Sequence, residues 1–212
     1  MVFEVQARQQ QRWWAPVAFT LAAVLLAGLA MAFVDRPFAT FAHDVLKRPE
    51  WAVLVPKLSH APAPLAVLGL VATSVVWFGQ RRLTPAWRTV LLASAATVIA
   101  TLCVIMLKVA CGRMWPETWV GNNPSFIQNH VFGFLPFHRG AGFESFPSGH
   151  MTRITAPFAV LWVRLPRWRA AWAAVPLLVM AGLLASDFHW ISDCIAGIWL
   201  GSASAWMVLV AL

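Results

Sequence analysis

Long apolar runs separated by short polar segments extend along the whole chain. The first uninterrupted run covers residues 15–34, which is long enough to cross a bilayer as a helix. Five more runs follow, over residues 65–78, 89–107, 150–163, 170–185 and 190–212. The run at 150–163 is the weakest of the six, because it is short and contains Arg153 and Pro157. The pattern predicts an all-α polytopic membrane helical bundle of six transmembrane helices, forming a single domain over residues 1–212.

Two polar segments between these runs are unusually long. Residues 35–57 carry charges of both signs, and we predict a loop there that holds a short interfacial helix. Residues 109–147 are rich in Pro, Gly, Asn and aromatic residues. A loop of that length in a small bundle is usually functional, so it is a candidate part of a site.

Composition supports a membrane protein and disfavours a nucleic-acid-binding one. Of the 212 residues, 60% are hydrophobic and only 11% are charged, which is far less charge than the surface of a soluble domain needs. The formal net charge of +8 includes no clustered run of Lys and Arg that would line a nucleic-acid groove. In a membrane protein such an excess usually contacts anionic headgroups. The predicted partners are therefore the phospholipid bilayer and a lipid within it.

Basic residues predict the orientation of the bundle. If the N-terminus is cytoplasmic, the cytoplasmic segments contain Glu4 as their only acid and eight arginines, Arg8, Arg12, Arg81, Arg82, Arg88, Arg164, Arg167 and Arg169. The opposite loops mix both signs, so the positive-inside rule favours this arrangement. Both termini are then cytoplasmic and residues 109–147 lie outside, which is the periplasmic side of a bacterial-type inner (plasma) membrane.

The candidate chemistry lies at the outer ends of three predicted spans. Lys108 ends the third span, His150 begins the fourth and His189 begins the sixth. Ionisable residues at membrane depth are costly and usually mark function. Ser148 and Gly149 fall at the cap position of the fourth helix, where free N–H groups and the helix dipole favour an anion such as phosphate.

His189 and Asp193 are four residues apart, so they share one helix face. A carboxylate one turn from an imidazole holds its tautomer and stabilises its cation. With His150 as a second imidazole, this predicts an anion site with two proton-transfer or nucleophilic groups.

These residues resemble the signature of a known family. Lys108, the run Pro147-Ser148-Gly149-His150, and the stretch from His189 to Asp193 are similar in order and spacing to the three-part signature of the type 2 phosphatidic acid phosphatase family. That family contains membrane lipid phosphatases and soluble vanadium haloperoxidases. The resemblance covers residues 108–193, and the six predicted spans agree with it.

Two positions depart from the family pattern. Trp115 and Leu183 stand where the family has phosphate-binding arginines, and neither can make the bidentate contact of a guanidinium. Arg113 is two residues from the first position, and Arg153 is one turn beyond His150. We predict that Arg113 or Arg153 supplies the missing guanidinium.

The resemblance implies a mechanism for the remaining residues. His189 would attack phosphorus to form a phosphohistidine, with Asp193 orienting it. His150 would protonate the leaving oxygen and then activate water. Lys108, Ser148 and the N–H of Gly149 would hold the phosphoryl oxygens. No cofactor and no metal are implied, although His150, His189 and Asp193 have the ligand types of a zinc site.

The sequence thus predicts a metal-independent phosphatase that hydrolyses a lipid phosphate or diphosphate at the outer face of the membrane. Two alternatives remain open at this point. One is a lipid phosphotransferase that uses the same phosphoenzyme and a different acceptor. The other is a catalytically degenerate, lipid-binding member of the family, which the loss of two arginines makes reasonable.

Overall fold

Helices form most of the structure, which is a computed structural model. It describes residues 2–119, 121–138 and 140–211, with side chains from Trp14 onward in those ranges. The helices are α1 (Val2–Leu29), α2 (Asp35–Phe41), α3 (Glu50–Leu54), α4 (Pro62–Gln80), α5 (Pro85–Cys111), α6 (Phe126–Asn129), α7 (Gly149–Arg164), α8 (Arg169–Ala185) and α9 (Ile191–Ala211). The described part of the chain contains no named strand, so the all-α prediction is confirmed. The side chains of Glu4, Arg8 and Arg12 lie outside the described residues.

Five helical segments of the described chain are long and apolar enough to cross a membrane. They are Trp14–Leu46, Glu50–Gln80, Pro85–Cys111, Pro166–Ala185 and Ile191–Ala211. The fourth predicted span is a helix, α7, but it has only 16 residues. At 1.5 Å per residue it is about 24 Å long, against a hydrocarbon core of about 30 Å. The membrane-bundle architecture is confirmed, whereas the count of six spans is not.

The segment that we predicted as a loop over residues 35–57 is largely helical, and that prediction is wrong. One turn of π-helix, Ala30–Val34, joins α1 directly to α2, and a second, Ala42–Leu46, follows α2. Asp35 therefore lies inside a continuous helical rod, where it is only 1% exposed. A carboxylate is tolerated at such a depth only when it is paired, and the partner of Asp35 is described below.

Helix α7 lies at the centre of the bundle, packed against α5, α8 and α9. One face of α7 joins α5 and α9 in a buried apolar cluster of mostly small and branched residues, Leu92, Ala96, Ala100, Ala156, Val160, Ala205 and Val208. Its other face packs on α8 through Met151, Ile154, Val179 and Leu183. This central position holds the first turn of α7 between the ends of three neighbouring helices.

Helices α7 and α9 approach each other unusually closely. A Cβ atom added to Gly197 would lie 2.7 Å from Ser148 O, and one added to Gly201 would lie 2.7 Å from Thr152 O. Glycines four residues apart let two backbones touch, as in many membrane helix pairs. The backbone N–H of Ser148 also donates to Asp193 O over 3.1 Å. The start of α7 is thereby fixed against the start of α9.

The two basic turns lie together at one end of the bundle. Arg164, at the end of α7, donates from Nε to Thr89 Oγ1 at the start of α5 over 3.3 Å. The C-terminal end of α5 and the N-terminal end of α7 are consequently at the opposite end of the bundle, away from the basic turns. Many large apolar side chains on the outside of the helices are exposed, among them Leu21, Leu65 and Ile105, as expected of a lipid-facing surface.

Candidate active site

A histidine and an aspartate form the buried centre of the site. His189 Nδ1 lies 3.2 Å from Asp193 Oδ2, and both side chains are fully buried. Because a carboxylate only accepts hydrogen bonds, this contact places the proton of neutral His189 on Nδ1. His189 Nε2 then carries the lone pair, and it has no hydrogen-bond partner in the described part of the chain. An imidazole held in this way is prepared to act as a nucleophile through Nε2.

Burial also sets the protonation of this histidine. Loss of solvation lowers the pKa of His189 below its ordinary value of 6.5, while the hydrogen bond and the charge of Asp193 act in the opposite direction. The imidazole is therefore neutral at neutral pH, as a nucleophile must be.

Asp193 is held by groups from three other parts of the chain. Its Oδ1 accepts from Arg113 Nη1 over 2.5 Å, and its Oδ2 accepts from Ser145 Oγ over 2.5 Å. The backbone N–H of Trp190 donates to the same Oδ2 over 3.2 Å. The carboxylate is thus fixed in position before any substrate binds, which is a requirement for orienting His189.

Arg113 contacts the carboxylate oxygen of Asp193 that does not face His189. It is fully buried, and its Nη2 donates to Asp35 Oδ2 over 2.7 Å while its Nη1 contacts Asp193 and Ser192 Oγ. Ser192 also donates to Asp35 through its hydroxyl. Both terminal nitrogens of Arg113 are therefore occupied by protein groups. The structure brings Arg113 to the site, but at a position that supports Asp193.

Two cationic side chains flank the N-terminus of α7. A Cβ atom added to Gly149 would lie 3.4 Å from Lys108 Cε and 3.5 Å from Arg153 Nη2. Lys108 Nζ donates to the backbone oxygen of Glu144 over 2.6 Å. Arg153 makes no hydrogen bond or ion pair within the described residues, and its buried Nε has no partner. The guanidinium of Arg153 therefore donates to no hydrogen-bond acceptor among the described residues.

The first turn of α7 adds backbone donors at the same place. Ser148 is the N-cap residue, as the sequence predicted, and its hydroxyl oxygen accepts from Met151 N over 3.3 Å. The N–H groups of Gly149 and His150 belong to the first turn and have no carbonyl within the helix to bind. Together with Lys108 and Arg153 they form a positive pocket that suits a phosphoryl group.

His150 lies next to both His189 and a third histidine, His60. Its ring centroid lies 5.6 Å from that of His189 and 5.3 Å from that of His60. The Nε2 atoms of His60 and His150 are 3.3 Å apart, so one donates to the other. His150 is thus close enough to His189 for both imidazoles to contact one phosphoryl group.

The two positions where the family has arginine take different roles here. Trp115 is 6% exposed, its indole N–H donates to Ala141 O, and its ring centroid lies 4.9 Å from that of His189. It also lies 5.6 Å from Lys108 Nζ, so it forms an aromatic floor under the site. Leu183 is fully buried in the apolar contact between α7 and α8. Neither residue provides a phosphate ligand.

Our sequence reading missed three polar residues that the structure brings into or next to the site. Asp35 was counted as a loop charge, although a single acid directly after an apolar run is a signal for a buried pair. Ser145 lies two residues before the run Pro147-Ser148-Gly149-His150. Nothing in the local sequence of His60 indicates that it meets His150.

His43, Glu117 and Asp187 form a second polar cluster. His43 Nδ1 is 3.2 Å from Glu117 Oε2 and 3.8 Å from Asp187 Oδ2, and each of the three offers a potential metal ligand within 4.8 Å of the others. Arg48 Nη2 already contacts Glu117 Oε2 over 2.7 Å. This guanidinium balances the charge of Glu117. The carboxylate of Asp187 faces this cluster.

Asp187→Asn should remove a pH dependence of stability. Burial raises the pKa of Asp187 from 3.8 to about 7, more than Arg48 lowers it. Because the folded protein holds this proton more tightly than the unfolded chain, stability falls as pH rises from about 4 to 7. We expect the wild type to lose thermal stability over that interval in detergent, and the variant to lose less and to melt higher at pH 8. Parallel melting curves for the two proteins at every pH would contradict this assignment.

Comparison with known proteins agrees with the geometry. Residues 88–212 match the family model described as the PAP2 superfamily. A lipid A 1-phosphatase from Rhizobium johnstonii is 30% identical over 225 aligned positions, which cover 94% of this chain and 79% of that protein. A lipid A 1-phosphatase from Rhizobium etli is 36% identical over 104 positions, covering 49% of this chain and 42% of that protein.

A solved structure shares the fold. The crystal structure of a transmembrane PAP2 type phosphatidylglycerolphosphate phosphatase from Bacillus subtilis superposes with a TM-score of 0.55. The match covers 92% of this chain and 94% of that one at 18% sequence identity, so it supports the architecture of the bundle alone.

Proposed function

Because this chain belongs to the PAP2 superfamily, we propose that it is a lipid phosphatase that works through a phosphohistidine at the outer face of a bacterial inner membrane. The observation that carries the proposal is the state of His189. Its Nδ1 contacts Asp193, and its buried Nε2 has no partner in the described residues. Next to it lie a second imidazole, two cations and a helix N-terminus.

The first chemical step is an attack on phosphorus. His189 Nε2 forms a bond to phosphorus while the bond to the leaving oxygen breaks, and the cationic form of His150 gives that oxygen a proton. Burial and the nearby His189 and Arg153 lower the pKa of His150 well below 6.5 in the free protein, so in this proposal His150 takes up its proton together with the phosphate anion, whose negative charge raises that pKa. The imidazole of His189 becomes cationic in this step. The carboxylate of Asp193 stabilises that charge through Nδ1, and Arg113 and Ser145 keep the carboxylate in place.

The second step releases phosphate. His150, now deprotonated, takes a proton from water, the resulting hydroxide attacks phosphorus, and the bond to His189 breaks. Lys108, Arg153 and the N–H groups at the start of α7 face the oxygens on which charge develops, which is where preorganised donors have their largest effect. In this proposal these protein cations stabilise the transition state without a metal ion.

The relatives indicate which lipids to test first. The two Rhizobium proteins are named for a phosphate on lipid A, and a lipid with a sugar headgroup is our preferred substrate class. The location of the site supports action at the outer face, since it lies at the end of the bundle opposite the turns that carry Arg81, Arg82, Arg164 and Arg167. The lipid tail would remain in the bilayer.

The test is phosphate release by the purified protein in detergent. Lipid A 1-phosphate, phosphatidic acid and an isoprenyl diphosphate are compared with EDTA present throughout. Release from one or more of them supports the proposal. Transfer that requires an added alcohol acceptor would show a phosphotransferase, and the absence of release and transfer on all three would show a degenerate, lipid-binding protein.

Arg153→Ala should lower kcat/KM by about 100-fold, because it removes a charged donor that acts mainly in the transition state. Arg153→Lys should restore part of this loss, since a lysine keeps the charge but not the planar pair of donors. Arg164→Ala, at the other end of the same helix, is the matched control and should leave the rate unchanged. Equal kinetics for Arg153→Ala and Arg164→Ala would remove Arg153 from the site.

A further inference from the structure

A small cavity opens beside His150 on the side away from the phosphoryl pocket. Its volume is about 210 Å³, and its walls include Val53, Lys57, His60, Trp119, His150 and Phe188. Pockets for whole drug-sized ligands usually occupy about 300–1,000 Å³. This cavity therefore suits one headgroup ring, with the rest of a lipid outside it.

The neighbours of the cavity place it relative to the reaction of the proposed function, on which this inference rests. His150 lines it, whereas His189, Lys108 and Arg153 do not. In an in-line displacement the leaving oxygen departs on the side of phosphorus opposite the nucleophile. The group that protonates the leaving oxygen is His150, so the cavity adjoins the leaving group.

We propose that this cavity is the leaving-group subsite, that it takes a sugar ring, and that His60 recognises the polar substituents of that ring. Trp119 and Phe188 pack against each other with ring centroids 5.0 Å apart, and both border the cavity, so one of its walls is aromatic. An aromatic wall suits the C–H groups of a sugar ring. Lys57 and His60 offer hydrogen bonds at its edge.

The aromatic wall is set before any ligand binds. The indole N–H of Trp119 donates to Asp187 O over 3.2 Å, and the Arg48 guanidinium lies 4.3 Å from the Trp119 ring centroid. Phe188 also packs edge-on against His150 with centroids 5.3 Å apart. A wall fixed in this way loses little entropy when a ring packs on it.

The hydrogen bond between His60 and His150 is the contact that a substrate replaces. In the free protein the two Nε2 atoms satisfy each other over 3.3 Å at the edge of the cavity. When the leaving oxygen takes its place beside His150, His60 is left facing the ring. A sugar hydroxyl can bind it there, whereas a leaving group without a hydroxyl leaves it unpaired, and that loss creates selectivity.

Part of the cavity wall comes from a stretch of the chain that precedes the family match. Val53, Lys57 and His60 precede the matched residues 88–212, whereas Trp119, His150 and Phe188 lie within them. The first three residues are separate from the groups that perform phosphoryl transfer in the proposed function. Variants in this region can change selectivity without removing the nucleophile.

The experiment measures kcat and KM of the full-length protein on two substrates in the same detergent, lipid A 1-phosphate and phosphatidic acid. We expect His60→Ala to lower kcat/KM for lipid A 1-phosphate by about tenfold, mainly through KM, because one hydrogen bond is lost. On phosphatidic acid the variant loses only the contact between His60 and His150, so the fall in kcat/KM should be several-fold smaller than on lipid A 1-phosphate. The exposed His130 lies on the long loop outside the cavity, and His130→Ala is the matched control with no effect on either substrate.

A second variant tests the cavity without removing a polar group. Val53 is 42% exposed at the cavity wall, so Val53→Trp fills the space with little expected cost to folding. It should reduce activity on lipid A 1-phosphate more than on phosphatidic acid.

Equal losses on both substrates, in either variant, would overturn the subsite and assign His60 to positioning His150. A wild type active on phosphatidic acid alone would also overturn it, whereas a wild type inactive on every lipid phosphate rejects the proposed function itself.

Discussion

His189→Ala should reduce phosphate release on the order of 10⁴-fold or more while the protein still folds. The expected loss is this large because the variant removes the atom that bonds to phosphorus, and the other groups of the site depend on that bond. The measurement is turnover of the best lipid substrate, together with the melting temperature in detergent. His130→Ala, on the exposed loop, serves as the control histidine.

Trapping the phosphoenzyme makes this test specific for the nucleophile. With an aryl phosphate labelled on phosphorus, the leaving group needs no proton, so His150→Ala should still form the phosphohistidine. It should then hydrolyse it slowly, because no base activates water, and label should accumulate on the protein. His189→Ala should acquire no label. Label on His189→Ala that is stable to alkali and lost in acid would place the nucleophile on another histidine.

Arg113→Met should destabilise the protein by about 3–5 kcal/mol, because it leaves two buried carboxylates without their cation. Asp35 and Asp193 both contact this guanidinium, and all three side chains are fully buried. For a chain of this size the loss corresponds to a fall in melting temperature on the order of 10 °C. Activity should fall as well, since Asp193 would no longer be held against His189.

A matched variant separates this structural role from phosphate binding. Arg153→Met makes the same change at an arginine without a protein partner in the described residues, and it should lower activity with little effect on the melting temperature. Adding Asp35→Asn to Arg113→Met should restore part of the lost stability, because one uncompensated charge disappears. If Arg113→Met and Arg153→Met melt at the same temperature as the wild type, the buried ion network does not stabilise the fold.

The spacing of residues along the sequence was enough to predict the pairing of His189 with Asp193. His189 and Asp193 share a helix face wherever that helix packs, because residues four apart are always neighbours on a helix. Ser148 and Gly149 start a helix for equally local reasons, and the structure has Ser148 as the N-cap residue. The apolar runs likewise predicted the membrane bundle, since only helices or closed barrels satisfy the backbone in lipid.

The tertiary structure decided which groups surround that centre. Arg113 and Asp35 meet although 78 positions separate them, and His60 and His150 meet although 90 do. Such contacts depend on how the short helical turn before α4 and the loop after α5 pack against α2 and α7, and no short sequence pattern encodes that. The same packing explains why residues 35–57 are largely helical and not the predicted loop, because pairing with Arg113 lets the acidic residue Asp35 remain inside a helix. Sequence alone thus predicted the pairing of His189 with Asp193, which we propose as nucleophile and orienting acid. Only the folded chain placed Arg113 against the aspartate and left Arg153 without a partner among the described residues.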